Sequence, residues 1–217
     1  KTMRKKLYFV AIAVMGVSFL ANAQAQNPEC MTNLSIFSEH VKVKNYDAAY
    51  TPWKMVYDNC PGLHYATYVY GERILKDKIE KSSGADQEKY INELLGVYDN
   101  SIKYFPAKTN TADVAIKKTL LQYDYKKAPD NSIGAAMDKA FFDALDAAFK
   151  TDPAHFDNPK ALYLYFSSLV DLYNAGSKDL ESVFDTYDDV TNKIDEESDK
   201  YTAVVTQLLP KEDAGTL

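Results

Sequence analysis

The chain has 217 residues and a formal net charge of −6. Its 17 tyrosines and single tryptophan stand against only 8 glycines and 8 prolines. An acidic chain is repelled by phosphate backbones and anionic lipid surfaces, which argues against nucleic-acid and membrane-surface partners. So few turn formers at this length argue against a strand-rich sandwich and for helices joined by short loops.

Residues 1–23 read as a targeting segment. Lys1, Arg4, Lys5 and Lys6 form a positive start, and Leu7 to Leu20 is almost wholly apolar. Ala21-Asn22-Ala23 and Ala23-Gln24-Ala25 both fit the small-x-small cleavage rule. The expectation is a signal peptide cleaved after Ala23 or Ala25 and a periplasmic mature protein. No membrane insertion after cleavage is expected, because the apolar run is short for a span. The segment carries four basic and no acidic residues, so its removal takes the net charge from −6 to about −10. Cys30 and Cys60 then meet an oxidising compartment, where paired cysteines usually cross-link.

Thr32 to Val43, with Leu34, Phe37 and Val41 on one face, predicts a first helix, and Lys44-Asn45 a tight turn. Asn45 to Pro61 follows, with Tyr46, Ala49, Tyr50, Trp53, Val56 and Tyr57 at one-sided helical spacing. Pro52 lacks an amide donor and predicts a kink. The two rods make an antiparallel hairpin whose free ends, near Cys30 and Cys60, lie together, so a Cys30–Cys60 disulfide is expected.

A helix is predicted from about Leu63 to Lys81, with Ala66, Tyr70 and Ile74 inward. The next starts at a capping Asp86 and carries Ile91, Leu94, Leu95, Tyr98, Ile102 and Phe105 before Pro106. Thr109-Asn110 caps a fifth helix, which carries Ala112, Ala115, Ile116, Leu120 and Tyr123. Pro129 to Ser132 is a turn cluster. A sixth helix carries Met137, Ala140, Phe141, Ala144, Leu145 and Ala148 and ends at Asp152-Pro153. Asn158-Pro159 is a capping Asn followed by a first-turn Pro, opening a helix with Leu162, Tyr165, Phe166, Leu169 and Tyr173 inward. Gly176 suits a helix end and Ser177 the next cap. Leu180, Val183, Phe184, Tyr187, Val190 and Ile194 form the next stripe. A separate amphipathic piece holds Tyr201, Val204, Val205 and Leu208, and residues 211–217 are a frayed tail.

Helix-ending prolines at 61, 106 and 153 are 45 and 47 residues apart, a regularity typical of stacked helical hairpins. The second helix of the first hairpin places Tyr46, Ala49, Trp53, Val56 and Pro61 in the order aromatic, alanine, large, small, proline. Ile91, Leu94, Tyr98, Ser101 and Pro106 occupy the same places more loosely, with Ile for the aromatic and Leu for the alanine, and Phe141, Leu145, Ala148 and Pro153 keep its end. This pattern resembles the second helix of a tetratricopeptide repeat (TPR), across roughly residues 30–195. The resemblance implies an all-α fold of stacked antiparallel hairpins with no sheet, here a repeat domain over 24–210. It also implies an exported bacterial adaptor that binds protein.

His40, His64 and His155 show no metal-ligand spacing, and no phosphate loop or nucleophile motif is visible, so no catalytic or metal site and no cofactor is expected. Asp188-Asp189 and Asp195-Glu196-Glu197 read as a solvated face. The tyrosine surplus is the more informative feature. Tyr68 and Tyr163 fall off the core stripes and are the expected partner-binding residues, because an exposed tyrosine offers amphipathic contact area at low entropy cost. The functional expectation is a non-catalytic protein–protein scaffold or adaptor in the periplasm, presenting a concave face made mainly by the first helices of the hairpins to a protein partner, an extended segment or an envelope complex. The alternative is a glycan- or small-ligand-binding helical protein of an outer-membrane uptake system.

Overall fold

The computed structural model describes residues 27–126 and 135–208, with side chains described at 27–125 and 136–200. They form α1 (Pro28–Lys42), α2 (Tyr46–Asn59), α3 (Ala66–Lys81), α4 (Gly84–Tyr104), α5 (Thr111–Lys126), α6 (Ala135–Thr151), α7 (Pro159–Asn174) and α8 (Leu180–Leu208). Short 3-10 turns lie at Pro106–Lys108 and Pro153–His155, and there is no strand among the described residues. The fold is all-α, as the helical periodicity predicts. The chain divides into two compact units between Phe105 and Pro106. Within each, consecutive helices pack as hairpins, and α1 also touches α3 while α5 touches α7. Such second-neighbour contacts let one hairpin cover the open face of the next. The expected leader 1–23, its cleavage points, the Pro129–Ser132 turn, the tail 211–217 and the side chains of Tyr201, Val204, Val205 and Leu208 lie outside the described residues.

In the first unit the turn and cap signals of the first hairpin hold, while α1 starts at Pro28, four residues before the expected Thr32. The Asn27 side chain accepts from the Glu29 and Cys30 amides and so starts α1. Lys44 takes the left-handed conformation (φ 57°) that reverses the chain, and Asn45 caps α2 through the Ala48 amide. Pro52 lies inside α2, which runs unbroken from Tyr46 to Asn59. Cys30 and Cys60 are disulfide-bonded with Cα atoms 6.4 Å apart, clamping the open end of the α1–α2 hairpin.

The hub of this unit is Trp53, fully buried, with its indole Nε1 donating to the Thr67 carbonyl at 2.7 Å. Opposite it α3 carries Gly71, where an added Cβ would lie 2.6 Å from Trp53 Nε1. That bare backbone sets the roll of α3. Its buried face is Thr67, Tyr68, Gly71, Ile74, Leu75 and Ile79, with Tyr70 half-buried, instead of the Ala66–Tyr70–Ile74 stripe expected. The next helix starts at Gly84, not after Asp86. Gly84 has φ +60°, and Gln87 donates to the Ile79 and Ser82 carbonyls, tying the end of α3 to the start of α4.

In the second unit, Asn110 accepts from the Asp113 amide, and Asn158 accepts from the Lys160 and Ala161 amides with Pro159 at the first position of α7. Gly176 (φ +72°) ends α7, where the Ser177 amide donates back to Leu172. The cap of α8 is Asp179, which accepts from the Ser182 amide and hydroxyl, not Ser177. The core centres on Tyr165, buried among Phe142, Phe149 and Phe156 with its hydroxyl donating to Asp146. The stretch expected as two pieces after Leu180 is one helix to Leu208.

Candidate functional site

The face that stands open is the outer side of the α7–α8 hairpin. α7 buries Ala161, Leu162, Leu164, Tyr165, Ser168, Leu169 and Leu172 on one side. The opposite side carries Tyr163, Phe166, Val170 and Tyr173, spaced three, four and three residues apart and thus on one stripe. Tyr163 is 65% exposed and Tyr173 is exposed as well, although the periodicity placed Tyr173 inward. α8 packs on α7 with Thr186, Val190 and Lys193 buried and with Val183 and Val190 set in the core that α7 shares. About 100° round the helix lies a second apolar stripe of Leu180, Phe184, Tyr187 and Ile194. All four were expected in the core, and all four are exposed, Phe184 at 60% and Tyr187 at 52%. The rings of Phe166 and Tyr187 lie 5.9 Å apart, which joins the two stripes into one surface.

Beyond the α8 stripe, on its far side from α7, helical spacing places Glu181, Asp188 and Asp195, all exposed. The two described lysines of α8, Lys193 and Lys200, are engaged with Glu196 and Glu197, and these contacts hold the Glu197 carboxyl below its ordinary range.

The other expected contact residue behaves oppositely. Tyr68 is 3% exposed, packed edge-on to the rings of Tyr57 and Phe105, and its hydroxyl donates to the Pro61 carbonyl at 2.8 Å. Burial pushes its phenol well above the ordinary range. The expectation of an exposed Tyr68 is therefore corrected, because rolling α3 onto Trp53 turns this side chain into the core.

In the same unit an open groove of about 320 Å³ runs between α1 and α3, lined by Met31, Leu34, Ser38, Lys42, His64 and Tyr70 among others. His64 has a structural task there, its Nδ1 accepting the Ala66 amide at the start of α3. His155 contacts Asp152, which also accepts from Asn110, linking the start of α5 to the end of α6. Asp138 is buried, and burial followed by the nearby Asp171 charge raises its carboxyl. No group of three or more His, Cys, Asp and Glu side chains suited to a metal occurs among the described residues.

Fold and surface together define an all-α protein of helical hairpins with an uncovered aromatic face on one of them. No protein-family model, curated protein or solved structure matches the chain.

Proposed function

We propose that the protein is a non-catalytic interaction scaffold of the bacterial envelope, exported to the periplasm, which binds another protein through the α7–α8 face. The observation that carries this reading is the apolar surface of Tyr163, Tyr173, Leu180, Phe184, Tyr187 and Ile194, exposed on two packed helices. Large apolar surface left contiguous and uncovered marks interaction sites, and aromatic anchors carry a disproportionate share of interface energy. The TPR-like proline and aromatic spacing supports the adaptor role. The leader-like start and the Cys30–Cys60 bridge support export to an oxidising compartment. The groove between α1 and α3 favours a second reading, a glycan or small ligand held against Tyr70, since its size falls in the range of small-molecule sites.

The test compares capture of proteins from an envelope extract by the unaltered protein and by Tyr163→Ala and Phe184→Ser. Both changes should leave the thermal midpoint nearly unmoved, because exposed positions shift stability by little. Both should deplete the same captured species. Identical capture by all three proteins contradicts the reading, as does a midpoint that collapses in both variants.

A further inference from the structure

Resting on that reading of the face, we infer that its partner is a basic amphipathic helix from another protein. The helix lies along the α7–α8 hairpin with its apolar side on the aromatic stripe and its cations over the acid row of α8.

The shape of the surface selects a helix. Leu180 to Ile194 spans about 21 Å at 1.5 Å per residue, or roughly four turns. Two stripes joined at Phe166 and Tyr187 give an apolar surface two helices wide, which suits a helix presenting anchors at i, i+3, i+4 and i+7. An extended segment gains nothing comparable, because helices α7 and α8 satisfy their own backbone groups and offer no sheet edge.

The charge selects its sign and its side. Glu181, Asp188 and Asp195 recur every seven residues along one border of the stripe, none in an ion pair with a described cation, and Lys178, three residues before Glu181, lies over the Phe142 ring. Lys193 and Lys200 are turned to the other flank and held by Glu196 and Glu197. On the α7 border stand one cation, Lys160, which pairs with Asp124, and one exposed acid, Asp171. The demand for positive charge is thus greatest along the acid row of α8. A second copy of the chain fits badly. Antiparallel pairing about a two-fold axis lays the acid row against its own copy, and like charges so placed disfavour association.

The test uses the full chain and three 18-residue peptides. One is a Leu/Ala/Lys helix with an apolar stripe and lysines on one flank, the second is the same helix with Gln for Lys, and the third is a scramble of the first. Binding is read by fluorescence anisotropy at low and physiological salt. Hydroxyl-radical oxidation of Phe184 and Tyr187, with sedimentation velocity, is read with and without peptide. The lysine helix should bind about tenfold more tightly than the Gln helix, three exposed charge pairs each supplying a fraction of that factor. It should likewise outbind the scramble and protect Phe184 and Tyr187. The double variant Asp188→Asn, Asp195→Asn should lose most of that preference and its salt dependence. Phe184→Ser with Tyr187→Ser should lose both helices. Equal binding of the Lys and Gln helices overturns the basic partner while leaving the face a binding surface. If neither helix outbinds the scramble while Phe184 oxidises freely, the reading of the face falls as well. Protection of Phe184 without peptide overturns the inference too: in a monomer the same polypeptide occupies the face, and in a dimer a second copy does.

Discussion

The two units use the same excess of tyrosine in opposite ways. In the first, the phenols of α2, α3 and α4 turn inward and their hydroxyls find partners. Tyr50 donates to Glu93, Tyr57 accepts from Asn100, Tyr68 donates to the Pro61 carbonyl and Tyr98 to Glu72. Burial, and then the Glu93 carboxylate, raise the Tyr50 phenol far above its ordinary range. Tyrosine here is a long apolar spacer with a polar tip, bridging helices too far apart for leucine. In the second unit Tyr165 is used in that way, while Tyr163, Tyr173 and Tyr187 point outward. What separates the two fates is a neighbour. The tyrosines of α2 meet α4, whereas the second stripe of α8 stays exposed beside α7, its Tyr187 ring 5.9 Å from that of Phe166. An aromatic stripe is core or docking surface according to what lies across from it.

The comparison breaks most decisively at Trp53. Trp53→Ala removes the largest fully buried side chain of the first unit and should cost about 3–5 kcal/mol of unfolding free energy, measured by denaturant titration. Gly71→Ala attacks the same contact from the other side. Overpacking costs about 1–3 kcal/mol, offset by roughly 1 kcal/mol of helix propensity. A large stabilisation by Gly71→Ala would show that the indole is not held against α3. Next in size is the clamp. Cys30→Ser with Cys60→Ser opens a loop of 30 residues and should cost roughly 3–4 kcal/mol, with loss of hydrogen-exchange protection concentrated in α1 and α2. Uniform loss over α5 to α8 would contradict a clamp local to the first hairpin.

A finer cut separates buried from exposed phenols. Tyr68→Phe keeps the ring and leaves the Pro61 carbonyl without its donor, so about 0.5–1.5 kcal/mol should be lost. Tyr163→Phe should change stability by no more than a few tenths of a kcal/mol. Equal losses at the two positions would erase the contrast between units.

The smallest effect is a pH dependence in the second unit. The Asp152 hydrogen bond and charge raise the His155 imidazole, and His155, with Asn110, lowers the Asp152 carboxyl. The raised histidine contributes stability below its unfolded pKa and loses it as pH rises through the folded value. The lowered aspartate contributes above its unfolded pKa and loses it as pH falls through the folded value. The contact therefore acts only between the two folded-state titrations. NMR titration should place the His155 midpoint above that of a free histidine, and Asp152→Asn should bring it down. An unmoved midpoint would mean that the pair does not form in solution.

Much of this architecture is legible in the sequence because it is local. Asn45, Asn158-Pro159 and Gly176 announce helix ends by chemistry that acts within a turn, and the cysteine pairing follows from hairpin geometry. The errors come where a neighbour decides. Gly71 has no apolar signal, yet its missing Cβ rather than Tyr70 centres the buried face of α3, and Tyr68 goes inward as a result. On α8, Val183 and Val190 form one stripe and Leu180, Phe184, Tyr187 and Ile194 another. Periodicity merges them, because it registers amphipathicity and not which stripe has a neighbour. At the caps, Asp179 in place of Ser177 is a shift of two residues between adjacent cap formers, a distinction that only the hydrogen bond makes.

The claim at the centre of this account is that the α7–α8 face is open in the free protein and closes when it works. Residue-resolved hydroxyl-radical oxidation of the protein alone, and then with its captured partner, tests it most directly. The account predicts fast oxidation at Tyr163, Phe184 and Tyr187, slow oxidation at Trp53 and Tyr68, and slowing of the first three alone when partner is added. Slow oxidation of Phe184 and Tyr187 in the free monomer, or rates there that partner leaves unchanged, would contradict it.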